Sequence, residues 1–197
     1  MVRKPLYGLV LTGGRSSRMG TDKGSLDYHG IPQREYVYDQ LEQFCQRTFY
    51  SCRAQQYPEL NGKGNTIWDQ YGFPGPFNGL LSAHAQYPKV AWLVMACDLP
   101  FLNGTGISEL ISAHDPQKNA TAFSNPGSGM PEPLAAIWEP SGLQCALDYL
   151  DKGGKPAPAW FLRQANVKLV VPIDENMLLN ANSPVDYDHI KAKMTSL

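Results

Sequence analysis

Short apolar runs alternate along this chain with segments in which apolar residues recur at helical spacing. The runs predict strands, and the spaced segments predict helices that turn one face toward a core. The predicted strands are residues 7–11, 48–52, 67–68, 90–97, 121–123, 134–138 and 167–171. The predicted helices are residues 34–45, 79–86, 105–114, 141–150 and 185–194.

This alternation predicts an α/β fold, with a Rossmann-like, mostly parallel central sheet and helices on both faces. No internal repeat or long linker divides the sequence, so we expect a single domain over residues 1–197. Ligands of such sheets bind outside the carboxyl ends of the strands. Candidate chemistry is therefore sought in the loops that follow strands, and the loop at 125–129 is expected at the rim of the site.

Composition narrows the classes of protein that fit. The 197 residues are 43% hydrophobic and 18% charged, which is typical of a folded chain rather than a disordered one. A formal net charge of -1 argues against nucleic acid as a partner, because no broad positive field is present. The longest apolar run, at 90–97, is far shorter than the roughly 20 residues that span a membrane, so no membrane association is expected.

The cysteines and the N-terminal segment indicate a reducing compartment. Cys45, Cys52, Cys97 and Cys145 are widely spaced and form no metal-binding pattern. Three of them lie in apolar periodic segments, where a buried thiol is favoured over a disulfide or a zinc ligand. The N-terminal apolar stretch is broken by glycines and followed by arginines, unlike a secretory signal peptide. A cytoplasmic location is therefore expected.

The segment LTGGRSSRMGTDK at 11–23 carries the strongest chemical signal. Gly13 and Gly14 follow a predicted strand, and glycine lets backbone N–H groups approach a ligand closely. Arg15, Arg18 and Lys23 add three cations, so the segment predicts binding of a triphosphate. The spacing excludes a P-loop and a Gly-x-Gly-x-x-Gly fingerprint. The alternative interpretation is a glycine-rich turn with solvated arginines.

Two aspartates come directly after predicted strands. Asp98 follows the run at 90–97, where a carboxylate at a central strand end can hold Mg²⁺ together with phosphate oxygens. Asp69 follows the strand at 67–68, and either a ligand contact or a side-chain hydrogen bond that starts a turn explains it. These positions predict a nucleotide and metal site at one edge of the sheet.

Taken together, these segments resemble the molybdenum cofactor guanylyltransferase family, a group of nucleotidyltransferases with a Rossmann-like sheet. The resemblance covers nearly the whole chain. Its motifs are LTGGRSSRMGTDKG at 11–24, Asp69 followed by GPFNGL at 75–80, ACDLPFL at 96–102, EPLAAIWEP at 132–140 and NANSPVDY at 180–187. The resemblance implies that the protein transfers GMP from GTP to molybdopterin, releases pyrophosphate and needs Mg²⁺.

The resemblance also assigns roles by position. The nucleotide would be contacted by Leu11, Thr12, Gly13, Gly14, Lys23, Asp69 and Asp98. Catalysis would rest on Arg15, Arg18, Lys23 and Asp98, with Asp98 as the Mg²⁺ ligand. Asn180, Asn182 and Lys155 would face the pterin substrate, although Ser183, Pro184 and Asp186 also form the start signal of a helix.

Two other functions remain open at this point. A related nucleotidyltransferase would use CTP with molybdopterin, or a different phosphorylated acceptor, on the same fold. A catalytically silent nucleotide-binding module would keep the glycine segment without turnover. As substrates and partners, the resemblance implies GTP, molybdopterin and transient contacts with other proteins of molybdenum cofactor synthesis.

Overall fold

The structure, a computed structural model, describes residues 5–12, 22–60 and 62–195. Its strands in these ranges are β1 Leu6–Leu11, β2 Arg47–Cys52, β3 Asn65–Trp68, β4 Ala91–Ala96, β5 Ala120–Ser124, β6 Pro131–Trp138 and β7 Val167–Val170. Its α-helices are α1 Gln33–Glu42, α2 Tyr57–Leu60, α3 Pro76–Gln86, α4 Gly104–Ser112, α5 Pro140–Asp151, α6 Pro158–Leu162 and α7 Pro184–Thr195. Short 3-10 helices occupy Lys23–Ser25, Ala54–Gln56 and Glu175–Leu178.

All of these strands form one sheet in the order β3-β2-β1-β4-β6-β5-β7. Strand β1 pairs in parallel with β2 and β4, while β6 runs antiparallel to both β4 and β5. The mostly parallel α/β sheet expected from the sequence is confirmed. The reversal at β6 follows from the short loop before it, because a crossover between parallel strands needs a dozen residues or more.

Helices cover both faces of the sheet, as predicted. Successive side chains of a strand point to opposite faces, so Leu9 and Val10 of β1 enter two different cores. The core around Leu9 takes apolar residues from α3, α5 and α6, and the core around Val10 takes them from α1 and α4. The cysteines Cys52 and Cys97 are buried in the second core, which confirms the packing role expected for them.

The carboxyl ends of β1, β2, β3 and β4 lie at one edge of the sheet, because these strands are parallel neighbours. Strand β6 runs the other way, so its first residues reach the same edge. Strand β5 also ends there, which puts the 125–129 loop at the rim expected from the sequence. None of the described helices is long and apolar enough to cross a membrane.

Candidate functional site

The acidic residue Asp98 lies just beyond β4, at the middle of this edge. Its backbone oxygen accepts a hydrogen bond of 2.9 Å from the N–H of Ala181, which brings the late segment 180–183 onto the strand end. Its side chain is 23% exposed, and its Oδ2 lies 3.4 Å from Lys23 Nζ. The structure therefore brings together two residues that the sequence predicts for the site.

A short turn positions Lys23. Asp22 Oδ1 accepts a hydrogen bond of 3.0 Å from Gly24 N, which caps the 3-10 helix that begins at Lys23. Asp22 Oδ2 also lies 3.5 Å from Arg34 Nη1, and the same guanidinium nitrogen pairs with Glu59 at 3.0 Å. Because the Arg34 side chain is nearly buried, it anchors this turn to the body of the protein.

The amide of Asn182 completes the cluster, because its Oδ1 accepts a hydrogen bond of 2.6 Å from Lys23 Nζ. Asp186 Oδ2 accepts from the N–H groups of Asn182 and Ser183 at 3.0 and 2.8 Å, and the N–H of Asp186 donates to Ser183 Oγ at 3.2 Å. Hydrogen bonding by the Ser183 side chain, followed by the backbone N–H groups of Asn182 and Ser183, holds the pKa of Asp186 below its usual value. The segment is therefore both the start of α7 and one wall of the site.

The other two residues expected at the pterin are Asn180, which borders the Lys23–Asp98–Asn182 cluster, and Lys155, which contacts other residues. Asn180 is half-buried, and its Nδ2 donates a long hydrogen bond of 3.4 Å to Leu178 O. Lys155 places its Nζ 4.5 Å from the centre of the Trp160 ring, and its N–H donates to Tyr149 Oη at 2.8 Å. Within the described residues, no contact joins Lys155 to Asp98, so its predicted role stays a prediction.

The end of β1 forms the other half of the edge. Thr12 is buried, and its Oγ1 donates a hydrogen bond of 2.7 Å to Ser51 O of β2. Gln56 Nε2 donates to the Thr12 carbonyl at 3.1 Å, so this strand end is held from two sides. Leu11 packs into the core and is paired with Ser51 of β2 and Ala96 of β4, so it is the last residue of β1 before Thr12. The predicted residues Gly13, Gly14, Arg15 and Arg18 lie outside the described residues.

The carboxylate of Asp69 is tied to the same strand ends. Its N–H donates to Cys52 O at 3.0 Å, and Ser51 Oγ donates to its Oδ1 at 3.2 Å. Partial burial raises the pKa of Asp69, while the Ser51 bond and the charge of Arg53 oppose that rise. A half-buried carboxylate that shares Ser51 with Thr12 as a hydrogen-bond partner suits contact with hydroxyl or N–H groups of a nucleotide.

The glycine-rich segment after Asp69 brings α3 close to β1 and β2. Gly75 adopts a φ of 74° at the helix N-cap, a conformation that favours glycine. A Cβ on Gly79 would collide with Ser51 Oγ and approach Leu11 Cδ2 to 2.9 Å, so only glycine fits there. Asn78 holds the loop before the helix by bonding both the N–H and the carbonyl of Tyr71.

Glu132 begins the sequence motif at 132–140, but the sequence did not identify it as a candidate site residue. In the β4–β6 pairing, Met95 lies opposite Ala135, so the first residues of β6 lie beside the segment that follows β4. Burial raises the pKa of Glu132 to about 7, with the charge of Asp98 contributing and a hydrogen bond from Leu134 N opposing. Only the antiparallel pairing of β6 with β4 shows that the first residues of β6 lie at this edge, and local sequence pattern does not reveal that pairing.

The donor set at Asp98 fits Mg²⁺ on chemical grounds. Mg²⁺ is usually held by one or two carboxylates together with substrate phosphates and water. Within the described residues there is no group of three or more His, Cys, Asp or Glu side chains that would form a complete metal cage. One accessible carboxylate beside a lysine therefore suits a metal that arrives with a phosphorylated substrate.

Sequence comparisons identify similar proteins. A family model described as a MobA-like NTP transferase domain matches residues 8–167. A molybdenum cofactor biosynthesis bifunctional protein of Synechocystis sp. is 37% identical over 194 residues, which cover 94% of this chain and 54% of that protein. This chain thus spans about half of that relative. A molybdenum cofactor guanylyltransferase of Ectopseudomonas mendocina is 30% identical over 91% of this chain and 89% of its own length.

Solved structures show the same fold. Molybdopterin-guanine dinucleotide biosynthesis protein A from Archaeoglobus fulgidus has a TM-score of 0.79 and 21% identity, covering 97% of this chain and 100% of that chain. A nucleotidyl transferase from Methanothermobacter thermautotroptrophicus has a TM-score of 0.76 and 18% identity, covering 98% of both chains. At these identities the likeness establishes the fold, and nucleotidyltransferases share it.

Proposed function

Because the chain belongs to the MobA-like NTP transferase family, we propose that it transfers GMP from GTP to molybdopterin. The reaction releases pyrophosphate and forms molybdopterin guanine dinucleotide. The observation that carries this proposal is the meeting of Lys23, Asp98 and Asn182 at the carboxyl edge of the sheet. The proposal includes a cytoplasmic location and transient contacts with other proteins of molybdenum cofactor synthesis.

The reaction joins two anions, so it depends on position and positive charge more than on a strong base. A phosphate oxygen of molybdopterin attacks the α-phosphorus of GTP, and the bond from that phosphorus to the β-phosphate oxygen breaks. Lys23 would contact phosphate oxygens, and the partial exposure of its side chain and its position 3.4 Å from Asp98 support this role. Fixed cations of this kind stabilise the charge that develops in the transition state.

Asp98 would hold Mg²⁺ at this point, and the ion supplies further positive charge to the phosphoryl oxygens when bound. The proposal assigns Arg15 and Arg18 to the same phosphates, with Gly13 and Gly14 beneath the nucleotide. In this proposal Leu11 and Thr12 line the nucleotide at the end of β1, and Asp69 contacts it beyond the end of β3. The hydrogen bonds of Thr12 and Asp69 to Ser51 support this assignment, because they hold both residues at one end of the cleft.

The acceptor would lie on the opposite side of Asp98. Asn182 is exposed and hydrogen-bonded to Lys23, so its amide borders the position of the attacking phosphate. Asn180 and Lys155 are proposed to extend this side toward the pterin. The nucleotide and the acceptor would therefore approach the same lysine and carboxylate from two directions.

The experiment that tests this function measures pyrophosphate release. Purified protein is mixed with GTP, Mg²⁺ and molybdopterin, and product is identified by mass spectrometry. We expect release only when all three are present, and a loss of at least about 100-fold in Asp98→Asn, which changes charge but little volume. Asp115→Asn, a change away from the site in the turn before β5, is the control.

The competing functions predict other outcomes of the same assay. Faster release with CTP than with GTP would make the chain a cytidylyltransferase. Release of pyrophosphate only with another phosphorylated acceptor would change the second substrate. Nucleotide binding without release in any combination would identify a silent binding module and would contradict the proposed reaction.

A further inference from the structure

Tyr28 has a buried hydroxyl that the described residues leave without a hydrogen-bond partner. The side chain as a whole is 7% exposed, and its oxygen is shielded from solvent. Buried hydroxyl groups in proteins are nearly always hydrogen-bonded, because an unpaired one loses its bond to water and gains nothing. An oxygen or nitrogen from outside these residues is therefore expected to meet it.

The position of Tyr28 links this hydroxyl to the candidate site. Its ring packs in a small cluster with Ala181, the residue between Asn180 and Asn182, and its centre lies 5.0 Å from that of Tyr187. Ala181 N is bonded to Asp98 O, so Tyr28 packs against the segment that reaches the end of β4. Tyr187 Oη donates to Asp27 O at 3.0 Å, which fixes the neighbouring turn.

The charged groups around the Tyr28 hydroxyl indicate what it can bind. Burial raises the pKa of Tyr28 far above its usual value, and Tyr187, Asp98 and Asp186 raise it further. The hydroxyl therefore remains protonated and acts as a donor at physiological pH. The carboxylates that influence it have other partners, since Asp98 Oδ2 faces Lys23 and Asp186 Oδ2 accepts the N–H groups of Asn182 and Ser183.

We propose that the Tyr28 hydroxyl donates a hydrogen bond to a phosphate oxygen of the acceptor substrate and so positions that phosphate for attack. This inference rests on the proposed function. The acceptor is favoured over GTP because Tyr28 packs against the segment of Asn180 and Asn182, whereas Thr12 and Asp69 lie at the other end of the cleft. A protonated donor that packs against Ala181, the residue between Asn180 and Asn182, is suited to an anionic oxygen.

The test replaces Tyr28 with Phe, which removes only the hydroxyl. We expect about a tenfold rise in KM for molybdopterin, the size expected for one hydrogen bond to a charged group, and an unchanged KM for GTP. Tyr187→Phe is the matched control, since it removes a neighbouring hydroxyl that is bonded to the backbone of Asp27. The control should lose thermal stability and keep its KM values.

A second measurement separates this inference from the proposed reaction. Inorganic phosphate is titrated calorimetrically into the wild-type protein and Tyr28→Phe, and we expect weaker binding in the variant whichever nucleotide or acceptor proves to be used. Equal phosphate binding and an equal KM would overturn the inference and leave a buried water as the partner. Absence of GMP transfer by the wild-type protein, with weaker phosphate binding in the variant, would overturn the reaction and keep the phosphate contact.

Measuring the melting temperature tests whether the Tyr28 hydroxyl has a purely structural role. Tyr28→Phe should unfold at the same temperature as the wild-type protein or above it, because the lost hydroxyl bonds no described residue. A clear fall in melting temperature would mean that the hydroxyl bonds the protein itself, and that outcome would also contradict the inference.

Discussion

At the scale of single residues, the site is a lysine held between an acid and an amide. Lys23 Nζ contacts Asp98 at 3.4 Å and Asn182 at 2.6 Å. The first distance is long for a charge-assisted hydrogen bond, which typically measures 2.7–2.9 Å. The lysine is therefore not fully committed to Asp98 and remains available to a phosphate.

Replacement of Lys23 by Met tests this availability. We expect a loss of about 100-fold in kcat/KM, because a fixed cation at the phosphates is removed. Stability should change by less than about 1 kcal/mol, since partly exposed ion pairs contribute little. Steady-state kinetics and urea unfolding measure the two effects. A variant that unfolds easily would instead assign the lysine a structural role.

Glu132 leads to a prediction about pH. Its pKa in the folded protein is about 7, against 4.5 for an unperturbed glutamate, so the folded state favours the protonated acid. The stabilisation is complete below pH 4.5 and is lost as the pH rises to 7. We expect the urea midpoint, measured in EDTA, to fall across this interval. Glu132→Gln should remove that fall, whereas Glu175→Gln on the surface should retain it.

At the scale of elements, the residues at strand ends were easier to predict than the strand register. Asp69 and Asp98 were predicted at the edge because runs of apolar residues stop just before them. Glu132 was missed because its place depends on the reversal of β6, which depends on pairing rather than on local pattern. Helices α2 and α6, of four and five residues, were missed because they are too short to show a helical period.

The same distinction applies to helix ends. The start of α7 was predicted correctly from Ser183, Pro184 and Asp186, whose types specify a cap. Helix α1 ends at Glu42, three residues before the predicted end, because Phe44 and Cys45 N–H groups bond to Leu41 in a tight terminal turn. The helical spacing of apolar residues continues through Phe44 and Cys45, so the sequence pattern does not indicate where the helix ends.

The approach of α3 to the sheet gives a prediction at this scale. Gly79→Ala places a methyl group against Ser51 and Leu11, so we expect a loss of about 1–3 kcal/mol in unfolding free energy. Affinity for the nucleotide should fall as well, because Ser51 holds Asp69. Gly72→Ala is the control. Gly72 lies in the loop before the helix, and a Cβ added there would have no atom within 4 Å, so this variant should behave like the wild-type protein.

At the scale of the whole molecule, nucleotide binding should be measurable as stability. A ligand that binds only the folded state raises the unfolding free energy by about 2.7 kcal/mol at 100 times its Kd. We expect GTP with Mg²⁺ to raise the melting temperature, EDTA to reduce this rise, and Asp98→Asn to abolish the effect of Mg²⁺. A larger rise with CTP would contradict the choice of GTP.

The contact between Lys23 and Asn182 joins positions that are 159 residues apart. Synthesis on the ribosome must therefore be nearly finished before the lysine has both of its neighbours. A polypeptide truncated before residue 180 would retain β1 and β4 but would lack Asn182, the amide proposed to border the attacking group. We expect such a fragment to lose transfer to the acceptor, because Lys23 would have lost the amide of Asn182.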